Sequence, residues 1–209
     1  MDFEVVAWVV LLVATVLVVG FVLNRESWRS IRRNYEFFAN KYGLELSQPE
    51  ARGFGLFKAS PSLFGKWEDR EMSVQTISAG LKDSRHSETA VHLETGLRDD
   101  CILLIRSKKG LNRLERSEFK KLVKVAGPTP EFDKRISIQT NRPEWVSEKI
   151  SASMCETLLE GLGSTTGTIL LVKGRLTYRE LGILSGKGTR ERIDRMINQL
   201  RWLADSLEG

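Results

Sequence analysis

The sequence has few of the residues that carry most protein chemistry, with two cysteines and two histidines among 209 residues. Cys101 and Cys155 each lie beside apolar residues, which excludes both a disulfide framework and a paired-cysteine zinc motif. Isolated cysteines of this kind are usually reduced core residues. Because His86 and His92 share one short segment, no histidine is left for a Ser-His or Cys-His catalytic pair elsewhere.

A nucleotide-binding loop is also missing, although the segment LTYRELGILSGKGTRERIDRMINQL suggests one at first. The P-loop pattern is G-x-x-x-x-G-K-[ST] between a strand and a helix. Aligned on residues 186–187, the first glycine position holds Leu181 and the hydroxyl position holds Gly188, so both fail. We expect the glycines to allow a turn with positive φ before the last helix. The hydroxyl of Thr189 or Ser185 can cap or support the start of that helix.

One long hydrophobic run is present, and it reads VVAWVVLLVATVLVVGFVL over residues 5–23. As a helix these 19 uncharged residues span roughly 28 Å, close to the hydrocarbon core of a bilayer. A cleaved secretory signal fits poorly, because acidic Asp2 and Glu4 precede the run and no small-x-small cleavage site follows it. The run is also longer than the apolar core of a signal peptide, so we predict an uncleaved anchor.

Four arginines follow the run immediately: Arg25, Arg29, Arg32 and Arg33. The positive-inside rule places residues 24–209 in the cytoplasm and the N-terminus outside. Trp28 lies about one turn beyond the span, where interfacial aromatic residues are favoured.

Beyond the anchor, residues 25–42 have helical spacing, with an apolar stripe that includes Ile31, Tyr35 and Phe38. We expect this helix to continue from the membrane and to end at Gly43. The predicted organisation is an anchor over 1–24, a juxtamembrane helix over 25–43 and a cytoplasmic domain over 44–209.

Short segments rich in β-branched residues alternate with helical patterns in the predicted domain. Strands are expected at 71–79, 87–95, 101–107 and 132–140, with one or two more in 53–67 and a hairpin at 168–181. Helices are expected at 111–126, 143–162 and 189–207. This order predicts an α+β domain with a largely antiparallel sheet and three to four helices.

The only segment with metal-type residues is HSETAVHLE. On a strand, alternate residues share a face, and the residues of that face with metal-binding side chains are His86, Glu88, His92 and Glu94. Neighbours two apart on a straight strand lie about 6.6–6.8 Å apart, so all four cannot close around one ion. One adjacent pair, helped by residues elsewhere, could bind zinc or iron. The simpler interpretation is a solvated face opposite buried residues, and we expect no cofactor.

The positive charge is concentrated in two patches. Residues 106–124 carry eight bases and two acids, and residues 25–41 carry five bases and two acids. On a helix over 111–126 the bases on one side are Arg113, Arg116, Lys120 and Lys124. Bases near an anionic leaflet contribute about 1 kcal/mol each. The basic side of this helix is either a surface that contacts lipid or other anions, or a helix face exposed to solvent. We do not expect nucleic acid as a partner, since no recognition motif accompanies the bases.

The segment FDKRISIQTNRPEWVSEKISASMCETLLEGL, followed by GTILLVKGRLTY and a terminal helix, resembles the C-terminal part of membrane-anchored bacterial proteins of unknown function. Phe132, Asp133, Asn141 and Pro143 carry the resemblance, which covers about the last eighty residues. It implies a strand beginning Phe-Asp, a turn, a helix, a hairpin and a last helix, and a bacterial inner membrane.

These observations predict a single-pass membrane protein whose cytoplasmic domain is a binding or scaffold module for a protein partner, assisted by anionic lipid. We expect no enzymatic activity, because no catalytic motif is present. The alternative is a membrane-tethered enzyme with a metal site around His86 and His92.

Overall fold

The computed structural model describes residues 3–48, 60–79, 86–97, 100–109 and 121–209. The helices are α1 Phe3–Tyr42, α2 Pro130–Arg135, α3 Pro143–Lys149, α4 Ala152–Gly161 and α5 Lys187–Glu208. The strands are β1 Glu45–Ser47, β2 Ser62–Trp67, β3 Arg70–Ala79, β4 His86–Glu94, β5 Leu103–Ser107, β6 Val123–Val125, β7 Ile136–Thr140, β8 Thr168–Val172 and β9 Arg175–Leu181.

Within the described residues, nine strands form one sheet in the order β1-β2-β3-β4-β9-β8-β5-β7-β6, and every described pairing is antiparallel. One row of apolar residues in register crosses all nine strands: Leu46, Leu63, Val74, Val91, Tyr178, Ile169, Ile105, Ile138 and Val125. Because side chains alternate along a strand, this row fixes which face of the sheet is buried.

Buried residues from all five helices join this row in a single hydrophobic cluster, so the helices cover one face of the sheet. Each helix contributes at least one fully buried side chain, such as Phe38, Phe132 and Leu200. The α+β class and the antiparallel sheet predicted from the sequence are therefore confirmed.

Helix α1 runs unbroken through both the apolar run and the predicted juxtamembrane helix. At 1.5 Å per residue its 40 residues extend about 60 Å. The first part is exposed, with Trp8 at 70% and Leu12 at 66%, whereas Tyr35 and Phe38 at the far end are completely buried. The helix ends at Gly43 with φ of +67°, as predicted.

The hairpin between β8 and β9 also agrees with the prediction. Its two turn residues, Lys173 and Gly174, both have positive φ, at 51° and 68°. Two consecutive positive φ values characterise a type I′ turn, whose twist matches that of the flanking strands.

The predicted helix over 111–126 is wrong at its C-terminal end, since Val123–Val125 is strand β6 and pairs with β7. The rest of that prediction, over 111–120, lies outside the described residues. The two β-branched residues suit an edge strand, and Lys124 between them is exposed, a common property of edge strands. Tertiary pairing with β7 overrides the helical periodicity here.

Two further boundaries differ from the prediction. Residues 132–135 belong to α2 rather than to a strand, so the Phe-Asp pair of the resemblance lies on a helix. Thr129 caps α2 by accepting a hydrogen bond from the Phe132 amide at 3.2 Å, and Pro130 occupies the first turn. The predicted helix over 143–162 is divided into α3 and α4 because Ser151 caps a new helix.

Candidate functional site

The junction between the exposed half of α1 and the folded domain is formed by Ser30, Asn34, Leu184 and Ser185. The Asn34 amide, in a residue 4% exposed, donates to the Leu184 carbonyl at 3.0 Å. The Ser30 hydroxyl donates to the Ser185 carbonyl. Leu184 is completely buried, so its side chain fixes the segment in the core while its carbonyl is held by α1. The sequence alone gives no signal for these contacts between residues about 150 positions apart.

Helix α5 packs alongside α1 in the same direction. Asp194 accepts hydrogen bonds from Lys41 at 2.6 Å and from the Tyr42 hydroxyl at 2.8 Å. One turn earlier on each helix, the Arg190 guanidinium lies 4.6 Å from the centre of the Phe37 ring. Burial raises the pKa of Tyr42, and the hydrogen bond to the Asp194 carboxylate raises it further. These contacts join the anchor helix to the domain along several turns.

The glycine turn, which we define as residues 182–186, leads from β9 to α5. Gly182 has φ of +106°, as predicted for a glycine turn, and its amide donates to the Ser87 carbonyl at 2.8 Å. The Gly182 carbonyl accepts from the Thr89 hydroxyl at 2.9 Å. The prediction that a hydroxyl caps α5 is wrong, because Gly186 is the N-cap and no side-chain cap bond is made. Hydrogen bonds to β4 therefore fix the turn.

The basic residues proposed as an anion surface do not all lie together. On α1, Arg29 pairs with Glu26 and Arg32 pairs with Glu36 at 2.7 Å, whereas Arg25 and Arg33 are exposed. Arg113, Arg116 and Lys120 lie outside the described residues. Lys124 is exposed on the edge strand β6, so it does not extend a helical row of bases.

Strand β4 places Glu88, Ala90, His92 and Glu94 on the face of the sheet opposite the helices, as the alternation predicts. Among the described residues, no group of three or more His, Cys, Asp or Glu could hold a metal ion. The prediction that this face of β4 is solvated is wrong in part, because Glu88 is only 8% exposed and Ala90 is fully buried. The side chain of His86 lies outside the described ones.

Both ring nitrogens of His92 are already engaged. Nε2 lies 3.0 Å from the Gln75 amide nitrogen, and Nδ1 lies 2.9 Å from the Thr177 hydroxyl. Since an amide nitrogen only donates, Nε2 must accept, which requires a neutral ring. Burial lowers the pKa of His92 to about 4, and the nearby guanidinium groups of Arg179 and Arg175 lower it further. His92 is therefore a neutral structural residue at physiological pH.

A shallow cavity of about 360 Å³ opens on this polar face, which we define as the face of the sheet bearing Gln75, His92 and Thr177. Phe64, at 44% exposure, contributes an apolar wall. Lys66, Ser73 and Arg175 contribute polar groups, and Arg175 is bonded to Glu94 at 2.7 Å. Aromatic residues are enriched at protein–protein contacts, so this cavity is a candidate contact surface.

A buried ion pair lies between the sheet and α5. Glu180, 4% exposed, accepts from Arg192 at 2.8 Å and from the Tyr178 hydroxyl at 2.6 Å. Burial raises the pKa of Tyr178, and the Glu180 charge raises it further. This cluster fixes the first turns of α5 on the sheet.

The two cysteines are buried and free, as predicted from their apolar neighbours. Burial raises the pKa of Cys155 to about 11, and it also raises the pKa of Cys101. Because the thiolate is the nucleophilic form, neither thiol is activated for chemistry.

These features define a class of protein: an α+β domain whose described helices cover one face of the sheet, built directly onto a long apolar helix that is suited by length and composition to cross a membrane. No protein-family model matches the sequence, and no curated protein matches it either.

The chain is similar in fold to a solved structure, the crystal structure of the mycobacterial trehalose monomycolate transport factor A, TtfA. The TM-score is 0.58 at 12% sequence identity, and the match covers 86% of this chain and 95% of that chain. Similarity at this identity establishes a shared fold.

Proposed function

We propose that this protein is a single-pass membrane protein of the bacterial inner membrane, whose cytoplasmic domain is a binding or scaffold module for a membrane-protein partner. The observation that carries the proposal is the continuity of α1, which passes without a break from exposed apolar residues into the core. Exposed apolar residues on this scale require a cover, and the length of the run fits hydrocarbon. A domain joined in this way stays at a fixed position beside the bilayer.

The cytoplasmic orientation is supported by the four arginines that follow the apolar run, Arg25, Arg29, Arg32 and Arg33, because such clusters remain on the cytoplasmic side. The shared fold with a transport factor is compatible with such a membrane-associated binding role. A partner embedded in the same membrane fits a module that is held at the bilayer surface.

A binding role is favoured over catalysis by the state of the reactive side chains. Burial keeps both thiols protonated, and His92 is neutral with both nitrogens engaged. The metal-dependent enzyme considered from the sequence gains no supporting geometry from the described residues. The cavity beside Phe64 is the contact surface that we assign to the partner.

Membrane insertion is tested by alkaline carbonate extraction of the full chain, and orientation is tested by protease digestion of spheroplasts and inverted vesicles. We expect retention in the membrane pellet, with the domain protected in spheroplasts and digested in inverted vesicles. Release by carbonate, or digestion in spheroplasts, would contradict the proposal.

Partner binding is tested by placing a photo-crosslinking amino acid at Phe64 or Lys66 on the polar face, in the native membrane. Matched positions are Ser153 and Glu160, which are exposed on α4 on the other side of the sheet. We expect a discrete product of higher mass from the polar face alone. Identical patterns from both sides would overturn the assignment of this surface.

A further inference from the structure

The glycine turn and the first turn of α5 lie at the membrane end of the domain. Along the pair of parallel helices, Asp194 lies at the level of Lys41, Arg190 at the level of Phe37, and Ser185 at the level of Ser30. The N-terminal end of α5 therefore lies nearer to the apolar half of α1 than its C-terminal end does.

The height of the turn above the hydrocarbon follows from helix geometry. Ser30 is seven residues beyond Leu23, the last residue of the apolar run, which is about 10 Å along the axis. The headgroup layer of each leaflet occupies about 5–8 Å of this distance, and the Debye length adds about 8 Å more at physiological ionic strength. A base in the first turn of α5 thus lies within electrostatic reach of the headgroups.

The charges at this level are mainly positive. The described bases on this end are Arg25, Arg29, Arg32, Arg33, Lys187 and Arg190. The neighbouring acids are Glu26, Glu36, Glu191 and the largely buried Glu88, and the first two form ion pairs along α1 itself. Lys187 has a side chain 78% exposed, and its distance to Glu191 is 3.7 Å, so this pair holds it weakly.

We propose that the glycine turn and Lys187 form, together with Arg25 and Arg33, a surface that contacts the anionic lipid headgroups of the leaflet and sets the tilt of the domain. Two observations carry this: the hydrogen bonds that fix the turn to α1, and continuity with the apolar run that requires hydrocarbon. Gly182, Gly186 and Gly188 have no side chains, and a Cβ atom at each would meet only open space, which allows close approach to a flat surface. The inference rests on the proposed membrane span.

The test uses the full chain in vesicles of phosphatidylglycerol and phosphatidylcholine that contain a nitroxide-headgroup lipid. A fluorophore is attached at Gly188→Cys, with Gly209→Cys at the other end of α5 as the matched position. The native thiols are buried, so the introduced thiol is labelled selectively. The two probes differ in height by up to about 31 Å, several Debye lengths, and we expect at least about threefold stronger quenching at position 188.

The charge dependence is tested with Lys187→Gln combined with Arg33→Gln, against Arg195→Gln as an exposed base further along α5. Each base near an anionic leaflet supports up to about a fivefold local enrichment of anionic lipid. We expect quenching by a nitroxide carried on phosphatidylglycerol to exceed that by one carried on phosphatidylcholine. This excess should disappear in high salt and in the double variant, and persist in Arg195→Gln.

Equal quenching at positions 188 and 209 in a chain that resists carbonate extraction would overturn the lipid contact and leave the membrane span intact. Strong quenching at 188 with no preference for phosphatidylglycerol would also overturn the contact with anionic headgroups. Loss of the chain from the membrane would contradict the proposed function itself, so the two failures are distinguishable.

Discussion

At the scale of single residues, the domain is held to α1 by a few buried polar groups. Asn34 is buried and Ser30 is half-buried, and each donates a hydrogen bond to a carbonyl about 150 residues further along the chain. A buried polar group without its partner costs more than the hydrogen bond contributes, so such residues fix the geometry of the junction.

Asn34→Ala should lower the free energy of unfolding by about 1–3 kcal/mol, because the Leu184 carbonyl loses its buried donor. Asn40→Ala, at an exposed position on the same helix, should change it by less than about 0.5 kcal/mol. Thermal unfolding of the full chain in detergent measures both. Equal effects of the two variants would show that the Asn34 contact does not stabilise the junction.

The stability of the domain should depend on pH through His92. Its pKa of about 4 in the fold lies below the ordinary value of about 6.5, so the unfolded chain takes up the proton first as the pH falls. The free energy of unfolding that depends on the neutral ring is therefore fully present above about pH 6.5, and it is lost as the pH falls toward about 4.

In His92→Gln this source of acid sensitivity is removed. Its melting temperature should fall less than that of the parent protein between about pH 7 and about pH 5, the interval in which an unperturbed histidine titrates. The two proteins are compared in the same detergent at both values. An unchanged pH dependence would mean that the proton on His92 is not linked to folding.

At the scale of secondary structure, two glycines at helix ends have opposite roles. Gly43 ends α1 in the left-handed region, whereas Gly188 lies inside the first turn of α5 with open space around it. Only the first position requires the absence of a Cβ atom.

Gly43→Ala should destabilise the protein by about 1–2 kcal/mol, the cost of a left-handed conformation for a residue with a side chain. Gly188→Ala should leave stability unchanged or raise it by about 0.4–1 kcal/mol, because alanine restricts the unfolded chain. Chemical denaturation of both variants supplies the comparison. A stabilising Gly43→Ala would contradict the proposed end of α1.

At the scale of the whole molecule, α1 serves as both the anchor and a structural element of the domain. The distance from bilayer to domain is therefore set by helical rise rather than by a flexible linker. A change in the length of α1 between these parts moves the entire domain.

The test inserts seven helix-forming residues, Ala-Gln-Ala-Ala-Gln-Ala-Ala, between Glu26 and Ser27. This insertion should raise the domain by about 10 Å and rotate it by only about 20°. Headgroup quenching at Gly188→Cys should then be largely lost, while the melting temperature of the domain is unchanged. Seven residues inserted after Gly209 supply the length control. Undiminished quenching would show that the domain is not held at a fixed height.

Much of the architecture can be predicted from local patterns. The apolar run, the hairpin at Lys173 and Gly174 and the apolar face of α5 are recognisable because each depends on residues close in sequence. The segment 111–126 shows where this fails. A helical period is visible there, yet Val123–Val125 joins the sheet because the adjacent strand β7 offers unpaired backbone groups.

The candidate site is less predictable than the fold. Arg25 and Arg33 are identified by their position after the apolar run, but the glycine turn has the local pattern of a simple connection. Its location beside Ser30 and Asn34 depends on contacts that span about 150 residues, for which one sequence holds no periodic signal.

Residue type and short-range spacing are enough to predict the apolar helix, most strands of the antiparallel sheet and the scarcity of reactive side chains. Tertiary structure alone decided that α5 lies parallel to α1 and carries the glycine turn to the membrane end of the domain. The physical reason is that helix packing is selected by the fit of whole buried faces, and hydrogen bonds such as that of Asn34 form only after the faces have met.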